Sequence, residues 1–155
     1  MEIFLKDYPL QCHQFSRGFF CTFVIDMQNE QSHWEWRFDM VRKLAESLDM
    51  QAYGVKALYL IGSVKTGEAG PCSDIDLLAH CTDEPAKHNL LQAWCNGWGL
   101  CLTALNECRT KYKAKGSLVD LHIITDADIK QKSSYAVMLE SVNNSARLLR
   151  KQEVE

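Results

Sequence analysis

The sequence predicts an α/β (α+β) domain, a small mixed β-sheet flanked by helices. Three observations carry that reading. Residues 55–61 and 75–79 are short apolar runs of the length expected for buried strands. A third strand candidate, residues 117–125, returns late in the chain. Around these runs, apolar residues recur at helical spacing. The predicted order is helix, strand, strand, helix, strand, helix, with a further strand candidate near the start. At 155 residues the chain suits one domain with one core. Residues 1–155 are therefore read as a single domain, with its core at about 33–130 and extensions at 1–31 and 127–155.

Each element has a local reason. Residues 19–25, Phe-Phe-Cys-Thr-Phe-Val-Ile, are aromatic and β-branched and read as a short strand. Ser32 and Glu35 have capping-box spacing, which starts a helix at Ser32. Trp34, Phe38, Val41, Ala45 and Leu48 then form its apolar stripe, with Arg37, Arg42, Lys43 and Glu46 mostly off it, and Gly54 is the expected stop. Residues 66–71, Thr-Gly-Glu-Ala-Gly-Pro, are turn chemistry between two strands. Pro85 opens another helix, striped by Leu91, Trp94, Trp98, Cys101 and Leu105. Gly97 and Gly99 interrupt that stripe and predict a kink or two abutting helices. Asp126 is placed as the cap of a short helix. Tyr135, Met138, Leu139, Val142, Ala146 and Leu149 fit a last helical stripe, and residues 150–155 read as a frayed end.

Composition argues against several roles. The net charge of −3 gives no general attraction to nucleic acid or anionic membrane. No apolar run approaches the roughly 20 residues that span a bilayer. The first residues lack the basic start and apolar stretch of a signal peptide, so the expected location is the cytoplasm. Seven cysteines, an odd number without a Cys-x-x-Cys pair, read as free thiols in a reducing compartment rather than a zinc site. Cys95, Cys101 and Cys108 are expected to be small buried apolar residues.

The chemistry concentrates in residues 62–76. Gly62-Ser63 ends the first apolar run, a loop with Gly67 and Gly70 follows, and Ser73-Asp74-Ile75-Asp76-Leu77 begins the second. On a strand, period two sends Asp74 and Asp76 to one face. Adjacent carboxylates repel unless a cation lies between them, and hard oxygen donors suit Mg²⁺ or Mn²⁺. Asp120, flanked by Leu118, Val119 and Leu121, is costly in an apolar strand unless paired or metal-bound, and is the candidate third carboxylate. A glycine at position 62 allows close approach to a ligand, and a helix turn opening at Ser63 offers N–H groups to phosphate, with Lys65 adding charge.

These residues resemble the signature of the DNA polymerase β-type nucleotidyltransferase superfamily, most closely its minimal nucleotidyltransferase branch. Gly62-Ser63 is followed by ten residues and then Asp74-Ile75-Asp76, with Ser73 before and Leu77 after in agreement. The resemblance spans about residues 33–130. It departs at Thr66, where many relatives carry an arginine. It implies a polymerase β-like nucleotidyltransferase fold and transfer of a nucleoside monophosphate from a nucleoside triphosphate, ATP first among them, to a hydroxyl-type acceptor. It further implies Asp74, Asp76 and Asp120 as catalytic metal ligands for two Mg²⁺ (or Mn²⁺), and Gly62, Ser63, Lys65, Gly67 and Ser73 as nucleotide-binding residues. The alternative role is a non-catalytic or partner-dependent module, antitoxin-like or sensing, with a helical protein partner or a second copy of the chain.

Other residues read more plainly. His122, two positions after Asp120, is a hydrogen-bonded structural histidine or a contact for nucleotide or acceptor. His80 and His88 have no partner pattern and are placed at the surface or at strand ends. Arg109, Lys111, Lys113 and Lys115 read as a helix C-terminus rather than a nucleic-acid patch. Trp34, Trp94 and Trp98 belong to core stripes, and Trp36, off its stripe, is expected to be exposed.

Overall fold

The computed structural model describes residues 31–140 and 145–153; the strand expected at 19–25 and the end of the chain beyond 153 lie outside them. Among the described residues nine elements follow in order: α1 His33–Ser47, β1 Val55–Leu60, α2 Gly62–Thr66, β2 Ile75–Cys81, α3 Pro85–Thr110, β3 Val119–Ile124, α4 Asp126–Gln131, α5 Val137–Glu140 and β4 Arg147–Lys151. The four strands form one sheet in the order β3-β2-β1-β4. β1 runs antiparallel to β2 and to β4, whereas β2 and β3 are parallel. The sheet is therefore mixed and flanked by helices.

Strand alternation sorts the side chains onto two faces. Ile75, Leu77, Ala79 and Cys81 of β2, with Val119 and Leu121 of β3, pack into the main core with Met40, Val41 and Leu44 of α1 and Leu91, Cys95 and Leu102 of α3. The opposite face carries Asp76, Leu78, Asp120 and His122. There Leu78, Ile61 and Ile124 join Ala136, with Tyr59, Ile129, Met138 and Leu139 against them, in a second, smaller cluster. Helices α1 and α3 thus cover one side of the sheet, and the polar residues of β2 and β3 are left on the other.

Helix α1 begins as its capping box dictates: Ser32 Oγ accepts from the Glu35 N–H, and the Glu35 carboxylate accepts from the Ser32 N–H. It stops at Ser47, well before Gly54, and Gly54 instead ends the turn into β1. Its last carbonyls are satisfied from elsewhere in the chain. Arg150 of β4 donates to the carbonyls of Ala45, Glu46 and Leu48 at 2.8–3.1 Å. Residues 150 and 151 are thus strand, not frayed end. Of the helical stripe expected from Tyr135 to Leu149, Val142 lies outside the described residues; the described part holds α5 and then a strand, because the sheet's exposed β1 edge recruits Arg147–Lys151.

The buried face of α1 is also rotated from its expected stripe. Trp36 and Arg37 are buried, while Trp34 and Phe38 are only partly so. Arg37, fully enclosed, is the reason. Its guanidinium donates to the carbonyls of His33, Pro71 and Ser73 and to Asn106 Oδ1 of α3, at 2.8–3.2 Å. Asn106 Nδ2 donates in turn to Pro71 O at 3.1 Å. Burial pulls the guanidinium pKa down to about 10, opposed by the nearby charge of Asp74, so Arg37 stays cationic at neutral pH. Trp36 lies under two guanidiniums, with Arg37 at 4.4 Å and Arg109 at 5.4 Å from its ring centre.

Helix α3 is continuous through Gly97 and Gly99. Gly99 serves packing rather than a kink: a β-carbon there would stand 1.8 Å from Ser117 Oγ and 3.0 Å from Val119 N. The helix therefore lies directly against the chain that enters β3. Cys95 is buried, but Cys101 and Cys108 lie on the exposed side of α3, contrary to the expectation for them. Five cysteines, among them Cys72 and Cys81, are free thiols among the described residues. The N-cap of α4 is Thr125, paired with Asp128 in a capping box, rather than Asp126. Asp126 instead pairs with Lys56 and with His80, and His88 Nε2 bonds Thr82 O at 2.7 Å, so both histidines have partners.

Arg37→Ala would take the buried donor from Asn106 Oδ1, the His33 carbonyl and the loop carbonyls of Pro71 and Ser73, of which Pro71 keeps another donor, Asn106 Nδ2. It should lower unfolding free energy by about 3 kcal/mol or more in urea titration. Arg42→Ala, on the exposed side of the same helix, should stay within about 0.5 kcal/mol of the parent.

Candidate active site

Strand β1 ends at Leu60, and the chain must then turn sharply toward β2. Ile61 donates its N–H to the Asp76 carbonyl at 3.0 Å, holding the two strand ends together. Gly62 follows with φ +68 and opens α2. A β-carbon at residue 62 would stand 2.0 Å from Asp76 Oδ2 and 2.9 Å from its carboxyl carbon. Glycine is required there twice over, for the left-handed backbone and for the carboxylate lying against it.

Helix α2 closes at Gly67, whose N–H donates to Ser63 O. Thr66 Oγ1 donates to Ser63 O and to the Glu68 carboxylate. Thr66 is thus occupied in tying the loop locally. Lys65 Nζ donates to Ser145 O at 3.2 Å. Gly70 N–H donates to Ser73 Oγ at 2.9 Å, and Ser73 N–H to Gly70 O at 3.2 Å. Together with the Arg37 bonds to Pro71 and Ser73, these contacts fix the loop that delivers the chain to Asp74 and β2.

The parallel pairing of β2 and β3 sets Asp76 opposite Asp120 and Leu78 opposite His122. Period two returns His122 to the face of Asp120. One ligand atom each from Asp76, Asp120 and His122 lie within 4.8 Å of one another. His122 Nε2 stands 3.4 Å from Asp120 Oδ2, and its ring stacks on Tyr135 with centres 4.1 Å apart and planes at 19°. Asp74 stands one residue before β2, exposed, and is not part of this three-residue group, whereas a place on the strand was expected for it.

The electrostatics follow from the placement. Burial raises the Asp76 pKa, and the neighbouring charges of Asp120 and Asp74 raise it further, while His122 opposes them. Two carboxylates and an imidazole, with Asp76 seated on a bare backbone, form a donor set that fits a divalent cation.

The sequence matches the model of the nucleotidyltransferase domain family over residues 41–144, a span that contains α2, β2, β3 and every residue of the group just described. The chain belongs to this family. Its mixed sheet and the Gly-Ser and Asp-x-Asp elements agree with the polymerase β-like superfamily of which nucleotidyltransferase domains are part. The crystal structure of a proposed nucleotidyltransferase from Sulfolobus solfataricus is similar over 81% of this chain and 93% of that one, at 15% identity and a TM-score of 0.40. That likeness is too loose to bear on function. Among curated proteins none matches significantly. No helix among the described residues of this nucleotidyltransferase domain is long and apolar enough to cross a membrane.

Sequence reasoning placed Asp76, Asp120 and Gly62 where they meet. It weighed His122 as a structural residue, although its spacing from Asp120 already put both on one face. It missed Arg37, because only the tertiary path of the loop turns an off-stripe arginine into a buried anchor.

Two outcomes follow. Gly62→Ala should cost about 1–3 kcal/mol in thermal unfolding, because its backbone is left-handed and Asp76 must swing away. The second concerns pH. The fold raises the Asp76 pKa, so the folded protein holds that proton more tightly than the unfolded chain. Asp76 therefore costs stability as the pH rises from its unfolded to its folded value, and the cost is fully developed above the folded value. In EDTA at pH 7, Asp76→Asn should melt at a higher temperature than the parent, and the advantage should fade as pH falls through the raised pKa. An Asp76→Asn protein that melts lower at pH 7 would contradict the placement.

Proposed function

We propose that this domain transfers a nucleoside monophosphate from a nucleoside triphosphate, ATP first among candidates, to a hydroxyl-type acceptor, releasing pyrophosphate. The observation that carries the reading is the Asp76–Asp120 pair on adjacent parallel strands, with Gly62 beneath Asp76. A divalent cation, Mg²⁺ or Mn²⁺, bound there would supply charge neutralisation to the phosphates and acidify the acceptor hydroxyl.

The chain's own residues would do the positioning. Asp76 and Asp120 would hold the cation from neighbouring strands, and Asp74, at the mouth of the fixed loop, would add a carboxylate from the β2 side. Gly62 and Ser63 would let the triphosphate approach the backbone at the start of α2, with Lys65 beside them and Gly67 and Ser73 shaping the loop. Asp120, the more exposed of the pair, would face the acceptor and accept its proton. Rate acceleration would rest mainly on alignment and charge neutralisation, as in phosphoryl transfer generally. The expected setting is the cytoplasm.

A pyrophosphate-release assay with ATP and Mg²⁺, run with extract fractions as the acceptor source, tests this reading. The parent should release pyrophosphate, and Asp76→Asn should lower the rate by more than about a hundredfold. Undiminished release by Asp76→Asn would refute the assignment.

A further inference from the structure

We propose that His122 contributes an imidazole nitrogen to the metal site of Asp76 and Asp120, tilting that site toward Mn²⁺ over Mg²⁺; this rests on the metal-dependent reading above. The register of β2 and β3 brings the three side chains to one face, and their ligand atoms fall within 4.8 Å. Ligand atoms around one six-coordinate ion at about 2.1 Å stand about 3 Å apart when adjacent and about 4.2 Å apart when opposite. The His122–Asp120 separation of 3.4 Å falls within that range, and no separation in the group exceeds 4.8 Å.

The competing account is a charge-assisted hydrogen bond between His122 and Asp120. Their 3.4 Å separation is long for it. A charge-assisted N–H···O bond closes to about 2.7–2.9 Å, whereas two donors converging on a shared ion keep their distance. The ring orientation agrees. Tyr135 stacks on the face of the imidazole, and both nitrogens lie in the ring plane, so stacking braces the ring without engaging its donors. Tyr135 acts as a positioning residue for His122.

The consequence is selectivity. Carboxylates alone form a hard oxygen site suited to Mg²⁺. An imidazole added to them favours first-row transition ions, and Mn²⁺ accepts mixed oxygen and nitrogen donors more readily than Mg²⁺. The chain's departure from an all-carboxylate site would therefore be read in its metal preference.

The test uses Mn²⁺ itself as the probe. Pulsed electron paramagnetic resonance of the full chain with Mn²⁺ at pH 7.5 should show nitrogen-14 modulation from a directly bonded imidazole. His122→Gln should abolish that modulation, weaken Mn²⁺ binding about tenfold and change Mg²⁺ binding less than about twofold. Circular dichroism of the variant should match the parent. Mn²⁺ that binds in an Asp76-dependent way without nitrogen modulation in the parent would overturn the His122 assignment and leave the metal site standing. Mn²⁺ binding that ignores Asp76→Asn, or no binding at all, would overturn both.

Discussion

A β-carbon at residue 62 would stand 2.0 Å from the Asp76 carboxylate, so the chain can leave β1 only through a glycine. That steric constraint organises the site. It lets the end of β1 and the start of β2 draw together, sealed by the Ile61 to Asp76 backbone bond. It opens α2 directly over β2. It also holds the Asp76 carboxylate against backbone, where burial and the charge of Asp120 disfavour its ionisation. A group kept in such a position without relief is a liability to the fold, and the natural relief is a cation.

Arg37 supplies the second anchor, from the other side of the sheet. A guanidinium is fully buried only where several acceptors meet it. Here the acceptors are the carbonyls of the loop before β2 and Asn106 of α3. One side chain thereby joins α1, α3 and the loop that carries Asp74. The loop has little apolar surface of its own, and its position depends on these polar bonds. This arrangement explains how a glycine-containing stretch between two strands can hold a defined path.

The corner at Gly62 and Asp76 was legible because its requirements are local. Period two fixes which face Asp76 occupies, a glycine at a strand end marks a close approach, and Ser32 with Glu35 announces a helix start. What could not be read depends on distant partners. The tail looked helical from Tyr135 to Leu149, yet Arg147–Lys151 forms a strand because β1 offers an open edge. Gly97 and Gly99 suggested a break in α3, yet the helix runs on, with Gly99 making room for Ser117. Trp36 fell outside the apolar stripe of α1, yet it is buried beneath two arginines. His122 lay on the right face all along, but its nearness to Asp76 follows only from the register of β2 and β3.

The central claim is that Asp76 and Asp120 hold the cation that meets a nucleoside triphosphate at Gly62-Ser63. Anomalous diffraction from crystals grown with Mn²⁺ and a non-hydrolysable triphosphate tests it most directly. The account predicts an anomalous peak bonded to both carboxylates, with the phosphates running over Gly62 and Ser63. A triphosphate bound elsewhere, with no metal between Asp76 and Asp120, would contradict it.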